Sequence, residues 1–570
     1  MLSRFRNILF LLIVFSASSF AVDRNAFTFT NYDLEIRVDP EGQAMSARGK
    51  VTVRNDSDKP QSNLVLQVSS SLEWRMIELD GKPLEYVADS QTTDIDHSGQ
   101  VTEAVVRLPA PVAPKASLVL DVGYSGTIVR DATRLTRMQV PQDQAFASDW
   151  DRISSEFTGI RGIGHVTWYP IAVDPANVGE NTLFPRIAQW QAREAQTTMK
   201  TRFCWITDEE HSFEVVANGN FEGMGGGDLG GQGNRSGCTS FTFANLQQTV
   251  PTFAIAPFEM LTRPTISLYY LTGHDQQASE MAAAAEKVQP LLQDWFGKPA
   301  KKIEVIQLPE ANDAAFDSGS MLFTPLGKDK KENEVAMAHQ TVRVSFTSNR
   351  PWIAEGLAGF GSMLAVEQIY GRRAAIDYVN ANLPVLIAAE NENAAAAKPS
   401  GDAAQSLVST TDDIYYRTKA VWVWSMLRDM IGDKALQAII KNYRAADDKD
   451  PTYVQRLIAA QDKRDLEWFF DDWVYRDRGL PRLKIEAAVP RQTLENSSVT
   501  AVTVENSGGA GVEIPITVRG EGGEQTSRTI VPAHQKVTTR LTLPGKPTEV
   551  SINDGSVPIM DTSDDKMELK

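Results

Sequence analysis

Holding a cation, moving a proton or attacking an electrophile requires particular side chains at particular spacings. This chain of 570 residues has six histidines: His97, His165, His211, His274, His339 and His534. No two stand four apart, so no helix carries two imidazoles one turn apart on one face, an arrangement suited to zinc. Glu355 lies 16 residues after His339, in the first turn of a helix opened by Pro351. One imidazole and one carboxylate are too few for a tight zinc site. His339 is therefore either a metal ligand or a helix histidine satisfied by a hydrogen bond, and the second reading is preferred. Glu355 has a parallel alternative, an acid favoured by the helix dipole. Glu334 stands five residues before His339 and points away from it, whereas Glu332 shares its face about 10 Å off by helix rise.

The elements that would position these residues follow from composition and patterning. Lys and Arg total 57 against 73 Asp and Glu, a net charge of -16 that repels phosphate backbones and excludes nucleic acid as the expected partner. Residues 1–21 join Arg4 and Arg6 to a short apolar run and end in Ser19-Phe20-Ala21. They read as a signal peptide cleaved after Ala21, with an uncleaved anchor as the competing reading. No later stretch is apolar enough to span a membrane. The expected location is periplasmic or secreted. There the only two thiols, Cys204 and Cys238, are expected to pair, because they lack the short spacing of redox or metal cysteines. Closing such a loop stabilises a fold by roughly 3–4 kcal/mol in the chain-entropy model. Between them, Gly225–Gly230 formally spells G-x-G-x-x-G, but without a βαβ setting it reads as a hairpin loop.

Past the leader, period-2 alternation such as Leu34, Ile36 and Val38 predicts an N-terminal antiparallel β domain over 22–256. The period then becomes helical. Residues 276–296, 332–345, 351–370, 416–431, 433–445 and 452–478 read as helices, with a strand at Ile303–Leu308, giving a mostly helical middle domain over 257–479. Alternation returns with Leu483, Ile485, Val502 and Val504 in a C-terminal β-sandwich over 480–553, followed by a polar tail, 554–570.

Particular residues narrow this multidomain β and α layout. Trp168-Tyr169-Pro170 with Asp174-Pro175, Trp295 to Pro299, Trp352-Ile353-Ala354-Glu355-Gly356, Tyr416 to Ala420, and Leu466 to Pro481 occur in the order and at the approximate spacing of motifs in one family. The chain resembles the aminopeptidase N family of gluzincin metallopeptidases (peptidase family M1). The resemblance implies a thermolysin-like middle domain and hydrolysis of peptide bonds with one zinc ion. The family's zinc helix carries H-E-x-x-H, with the glutamate as general base for the metal-bound water, and a second glutamate further on completes the ligands.

Carried over residue by residue, that chemistry is depleted here. The matching helix reads Val335-Ala336-Met337-Ala338-His339, so Val335 replaces the first ligand and Ala336 the general base. His339 and Glu355 match the other two ligands, with three residues fewer between them than in the family. Tyr416 matches the tyrosine that hydrogen-bonds the developing oxyanion, although Tyr415 is adjacent and Lys419 replaces the following glycine. A buried core tyrosine is the competing reading. The family's G-x-M-E-N loop corresponds to Gly319-Ser320-Met321-Leu322-Phe323, with Leu322 in place of the acid that pairs with a substrate's ammonium. Glu310 could approach the site but reads as an exposed loop acid. The expectation is thus a degenerate, catalytically inactive member without cofactor, whose cleft binds extended peptides or an envelope protein. Two alternatives stand beside it: an active zinc aminopeptidase using unusual ligands such as His165, and a structural envelope subunit.

Overall fold

The computed structural model describes residues 22–207, 212–225, 235–247, 249–396, 405–410, 412–493 and 496–569. The expected leader, 1–21, and most of the glycine-rich loop lie outside the described residues.

Strands Phe27–Asp39, Ala44–Asn55 and Ser117–Thr127 alternate buried apolar and exposed polar residues, which gives one face to the core. They belong to an eight-stranded sheet, which Thr198–Thr207 and Arg235–Phe243 extend on the side of the first strand. An antiparallel sheet was expected, yet Phe27–Asp39 and Thr198–Thr207 run parallel, with Asn31 opposite Thr198. The physical reason is the long excursion through residues 128–197, which returns the chain beside its first strand in the same direction. Cys204 and Cys238 face each other across the antiparallel pair Thr198–Thr207 and Arg235–Phe243, and are disulfide-bonded. The Trp168-Tyr169-Pro170 segment is a buried hub. Tyr124 Oη donates to the Trp168 carbonyl at 2.9 Å, Tyr32 Oη to the Pro170 carbonyl at 2.7 Å, and Trp168 Nε1 to the Pro251 carbonyl at 3.1 Å.

The middle region is built on a five-stranded sheet. Its strands, in chain order with the helices that follow, are β1 (Glu259–Thr262), β2 (Ile266–Tyr270), α1 (Asp275–Phe296), β3 (Ile303–Leu308), β4 (Phe316–Ser318), β5 (Met321–Pro325), α2 (Lys330–Ser345), α3 (Pro351–Tyr370), α4 (Arg372–Asn380), α5 (Leu383–Ala395) and α6 (Asp413–Ile431). The spatial order is β1-β2-β3-β5-β4, which leaves β4 on the outer edge. β2 and β3 are parallel, and α1 supplies the crossover between them. Asp329 caps α2 by accepting from the Glu332 N–H at 2.8 Å, and Pro351 opens α3. Trp352 of α3 stacks on Trp424 of α6, ring centroids 5.6 Å apart. A Cβ on Gly356 would lie 2.6 Å from Ala420 Cβ, so only glycine permits these helices to approach so closely.

Two features depart from the expected elements. The helix anticipated over 452–478 is broken into Tyr453–Gln461, Glu467–Phe470 and a π-helical turn, Asp471–Tyr475. Asp465 starts the second piece by accepting from the Glu467 N–H at 3.0 Å, a local bond that competes with continuing the first helix. The C-terminal strands form a three-stranded and a four-stranded sheet. The segment expected as a polar tail packs against them: Val557 and Ile559 are buried, and Lys566–Glu568 pairs with Pro547–Ile552. Met560, Met567 and Leu569 also pack on the core and help dock it, as does Asn553 Nδ2 donating to the Val557 carbonyl at 3.0 Å. Among the described residues no helix is long and apolar enough to cross a membrane.

Candidate functional site

The edge strand β4, the face of α2 carrying His339, the start of α3 and the start of α6 converge on one charged cluster. Position 335 begins that face of α2, and Val335 there is partly buried and packs on the core beside Ala336. One turn on comes His339, and one further turn brings Arg343 onto the same face. Glu355 points in from α3 with 7% of its side chain exposed. Its Oε1 lies 2.8 Å from Arg343 Nη1, and its Oε2 lies 3.3 Å from Arg417 Nε on α6 and 3.5 Å from His339 Nε2. Asp317 on β4 completes the group, 3.3 Å from Arg343 Nε and 4.0 Å from Arg417 Nη2.

Burial acts to raise the Glu355 carboxyl, but the Arg343 guanidinium, the His339 hydrogen bond and Arg417 together hold it well below the usual carboxylate range. Burial likewise acts to lower Arg343, and the charges of Glu355 and Asp317 more than offset it. Glu355 is therefore a carboxylate already matched to an internal cation. Tyr416 is partly buried and close enough to Arg343 for their charges to interact, so it, and not Tyr415, is the tyrosine beside the cluster. Tyr415 is fully buried instead, with its hydroxyl against Glu390 and Lys419.

These residues do not fit zinc. Glu355 Oε2 is buried and faces His339 Nε2 at 3.5 Å, as two ligands of one ion would. A third donor is missing, because the turn of α2 that would supply it presents Val335. The other Glu355 oxygen is taken by a guanidinium whose charge opposes a divalent cation at the same place. Among the described residues, no group of three or more His, Cys, Asp or Glu side chains is arranged to hold a metal.

The other positions singled out in the sequence lie as follows. Leu322 is buried in the core of the middle region, paired in register with Asp317. Glu310 is exposed and forms a long pair with Arg152 at 3.7 Å. Glu334 turns away from His339 to meet Lys287 at 2.7 Å and the Tyr370 hydroxyl at 2.8 Å. His165 packs edge-on against Phe316 of β4, centroids 5.3 Å apart, and lies 3.9 Å from Asp149, which Arg134 grips with two hydrogen bonds. Arg343, Arg417 and Asp317 escaped the sequence reading, which sought acids and imidazoles around His339. Arg343 was nevertheless legible, four residues beyond His339 on a predicted helix.

The fold matches that of solved M1 zinc metallopeptidase structures from Deinococcus radiodurans. The Glu-to-Ala variant bound to a Tyr-Ser-Ala substrate is 18% identical with a TM-score of 0.50, over 79% of this chain and 94% of that one. The same variant without substrate is also 18% identical with a TM-score of 0.50, over 80% and 96%. No family model matches the sequence, and no curated protein matches it.

Replacing Arg343 with Met leaves Glu355 with only its weaker partners. In urea unfolding R343M should lose roughly 3 kcal/mol, the low end for a broken buried pair because Arg417 and His339 remain. Adding Glu355→Gln should recover most of that loss, whereas additive losses would show that the two residues are not coupled. A second prediction concerns pH. Burial and the Arg161 charge pull His165 down to about 4 against the pull of Asp149. The unfolded chain takes up that proton near pH 6.5, so the stability His165 confers is complete above that pH and is lost as pH falls towards 4. His165→Phe should flatten the fall in stability between pH 7 and 5, and an unchanged slope would contradict this assignment.

Proposed function

We propose that this chain is an exported protein with an aminopeptidase-N-like fold that has lost peptide hydrolysis, and that its cleft binds extended peptides or a protein partner. The observation that carries the reading is the Arg343 guanidinium 2.8 Å from Glu355 Oε1, a fixed positive charge serving the carboxylate that would otherwise bind metal. Val335 and Ala336 add to it. An isopropyl group cannot donate to an ion, and a methyl group cannot accept a proton from water. A general base contributes roughly 10²–10⁴-fold to rate. A metal that activates water and polarises a carbonyl contributes several kcal/mol more. Tyr416, a lone hydrogen-bond donor to an oxyanion, does not replace both. In the active-site geometry present, Tyr416, Arg417 and His339 can orient a bound carbonyl or carboxylate but have no nucleophile to deliver.

Binding survives the loss of catalysis because it needs different parts. β4 is the outer strand of its sheet and carries Asp317 beside the partly exposed Arg417, and an extended peptide can add to such an edge through main-chain hydrogen bonds. Leu322 replaces the acid expected for an ammonium, so selection for a free amino terminus is lost with hydrolysis. Export rests on the leader pattern of residues 1–21, and the Cys204–Cys238 bond suits an oxidising compartment.

Reconstruction tests the reading. The V335H/A336E double variant restores the missing ligand and base, yet should take up no stoichiometric zinc while Arg343 stands. Adding R343A should give one zinc per chain and chelator-sensitive hydrolysis of aminoacyl anilides. The wild-type protein should show neither, and should retain peptides from an extended-peptide library. Stoichiometric zinc with chelator-sensitive turnover in the wild type would reinstate a working enzyme. A folded wild type that retains no peptide would leave the structural envelope role.

A further inference from the structure

Lys419 of α6 is fully enclosed, with none of its side chain exposed. Its Nζ lies 2.6 Å from Glu390 Oε1 on α5 and is hydrogen-bonded to Asp477 Oδ1, two residues past the π-helical turn. The rings of Tyr415 and Trp473 wall the amine at 5.5 and 5.6 Å, and the Tyr415 hydroxyl is 3.3 Å away. Both carboxyl groups are buried, Glu390 with 4% of its side chain exposed and Asp477 with none. Asp477 Oδ1 also accepts from the Gly479 N–H at 3.2 Å, while its Oδ2 is buried with no hydrogen-bond partner. Asp477 adopts φ +56°, a left-handed conformation uncommon for a residue with a side chain, and its carboxyl is directed into this enclosure. Burial drives the Lys419 ammonium down, although Glu390 pulls it up, and burial together with the Glu390 charge drives the Asp477 carboxyl up. Both shifts favour passing the lysine proton to an acid. Geometry sets the amine against the Asp477 carboxyl, with the Glu390 carboxyl beside them in an enclosure shut off from solvent.

We propose that Lys419 and Asp477 join in an intramolecular isopeptide bond, with Glu390 as the proton carrier. Lys419 Nζ attacks Asp477 Cγ, and the Gly479 N–H supports the charge that develops on Oδ1. Glu390 takes a proton from the nitrogen and delivers it to the departing Oδ2 hydroxyl, which leaves as water. One C–N bond forms, one C–O bond breaks and one water is released, with no change of oxidation state and no further reactant. Held contact replaces a bimolecular encounter, and the dry surroundings disfavour hydrolysis back. The product ties α6 covalently to the segment that enters the C-terminal sandwich.

Mass spectrometry of the wild-type full chain, reduced and denatured, tests this without relying on any variant to fold. With the amino terminus established by sequencing, the chain should weigh one water less than its sequence requires. Trypsin should leave the bond after Lys419 uncut and release one branched peptide containing both Lys419 and Asp477. Glu390→Gln should restore the full mass. A full-mass wild type, or water lost elsewhere with Lys419 cleavable in a linear peptide, would overturn the proposal and leave a buried hydrogen-bonded ion cluster.

Discussion

The pairing of Arg343 with Glu355 organises the centre of this molecule. A carboxylate with 7% of its side chain exposed requires a positive charge close by, because burying it alone costs far more than a protein's net stability. A divalent ion is one solution. A guanidinium brought up by α2, one turn after His339, is another, and it is permanently present, needs no loading and cannot be removed by chelation. Once that cation belongs to the chain, Val335 and Ala336 no longer have to be polar, and packing alone governs them. Three further constraints follow from the same contact: Asp317 must stay on the edge strand to serve the second side of Arg343, α6 must bring Arg417 to the other carboxylate oxygen, and Gly356 must let α6 come near enough.

Much of this was legible in the sequence. Period-2 and helical patterns placed the β and α regions, and α3 was expected over 351–370 and observed as Pro351–Tyr370. The two cysteines pair as expected. His339 and Glu355, singled out by their match to motif positions, lie 3.5 Å apart. What remained hidden depends on tertiary encounters. Asp317 and Arg417 join the cluster only through sheet order and the crossing of α6 over α3, which no local pattern encodes. The parallel pairing of Phe27–Asp39 with Thr198–Thr207 likewise comes from a connection of dozens of residues. Local competition explains the broken helix after residue 452, where the Asp465 side chain bonds the backbone and π-helical geometry follows.

A fold and its chemistry are separable, and the two buried clusters of this chain illustrate the separation differently. At the Glu355 cluster, ionic partners from α2, α6 and β4 gather around one buried carboxylate in a chain whose fold matches metallopeptidase structures. At the Lys419 cluster, a lysine stands where the resembling motif has glycine, and it draws α5, α6 and the entry to the sandwich into one enclosed network. Both are costly arrangements unless every charge is answered. Glu355 has His339, Arg343 and Arg417 around it, and Lys419 has Glu390 and Asp477. Middle region and sandwich are thereby held by specific polar contacts as well as by apolar packing.

The claim that an internal guanidinium has taken over the role of an ion is tested most directly by diffraction. Crystals of the wild-type protein equilibrated with excess zinc should be measured on both sides of the zinc absorption edge. The account predicts no anomalous peak between His339 and Glu355, with Arg343 still in contact with the carboxylate. A strong peak at bonding distance from both side chains, with Arg343 displaced, would contradict it.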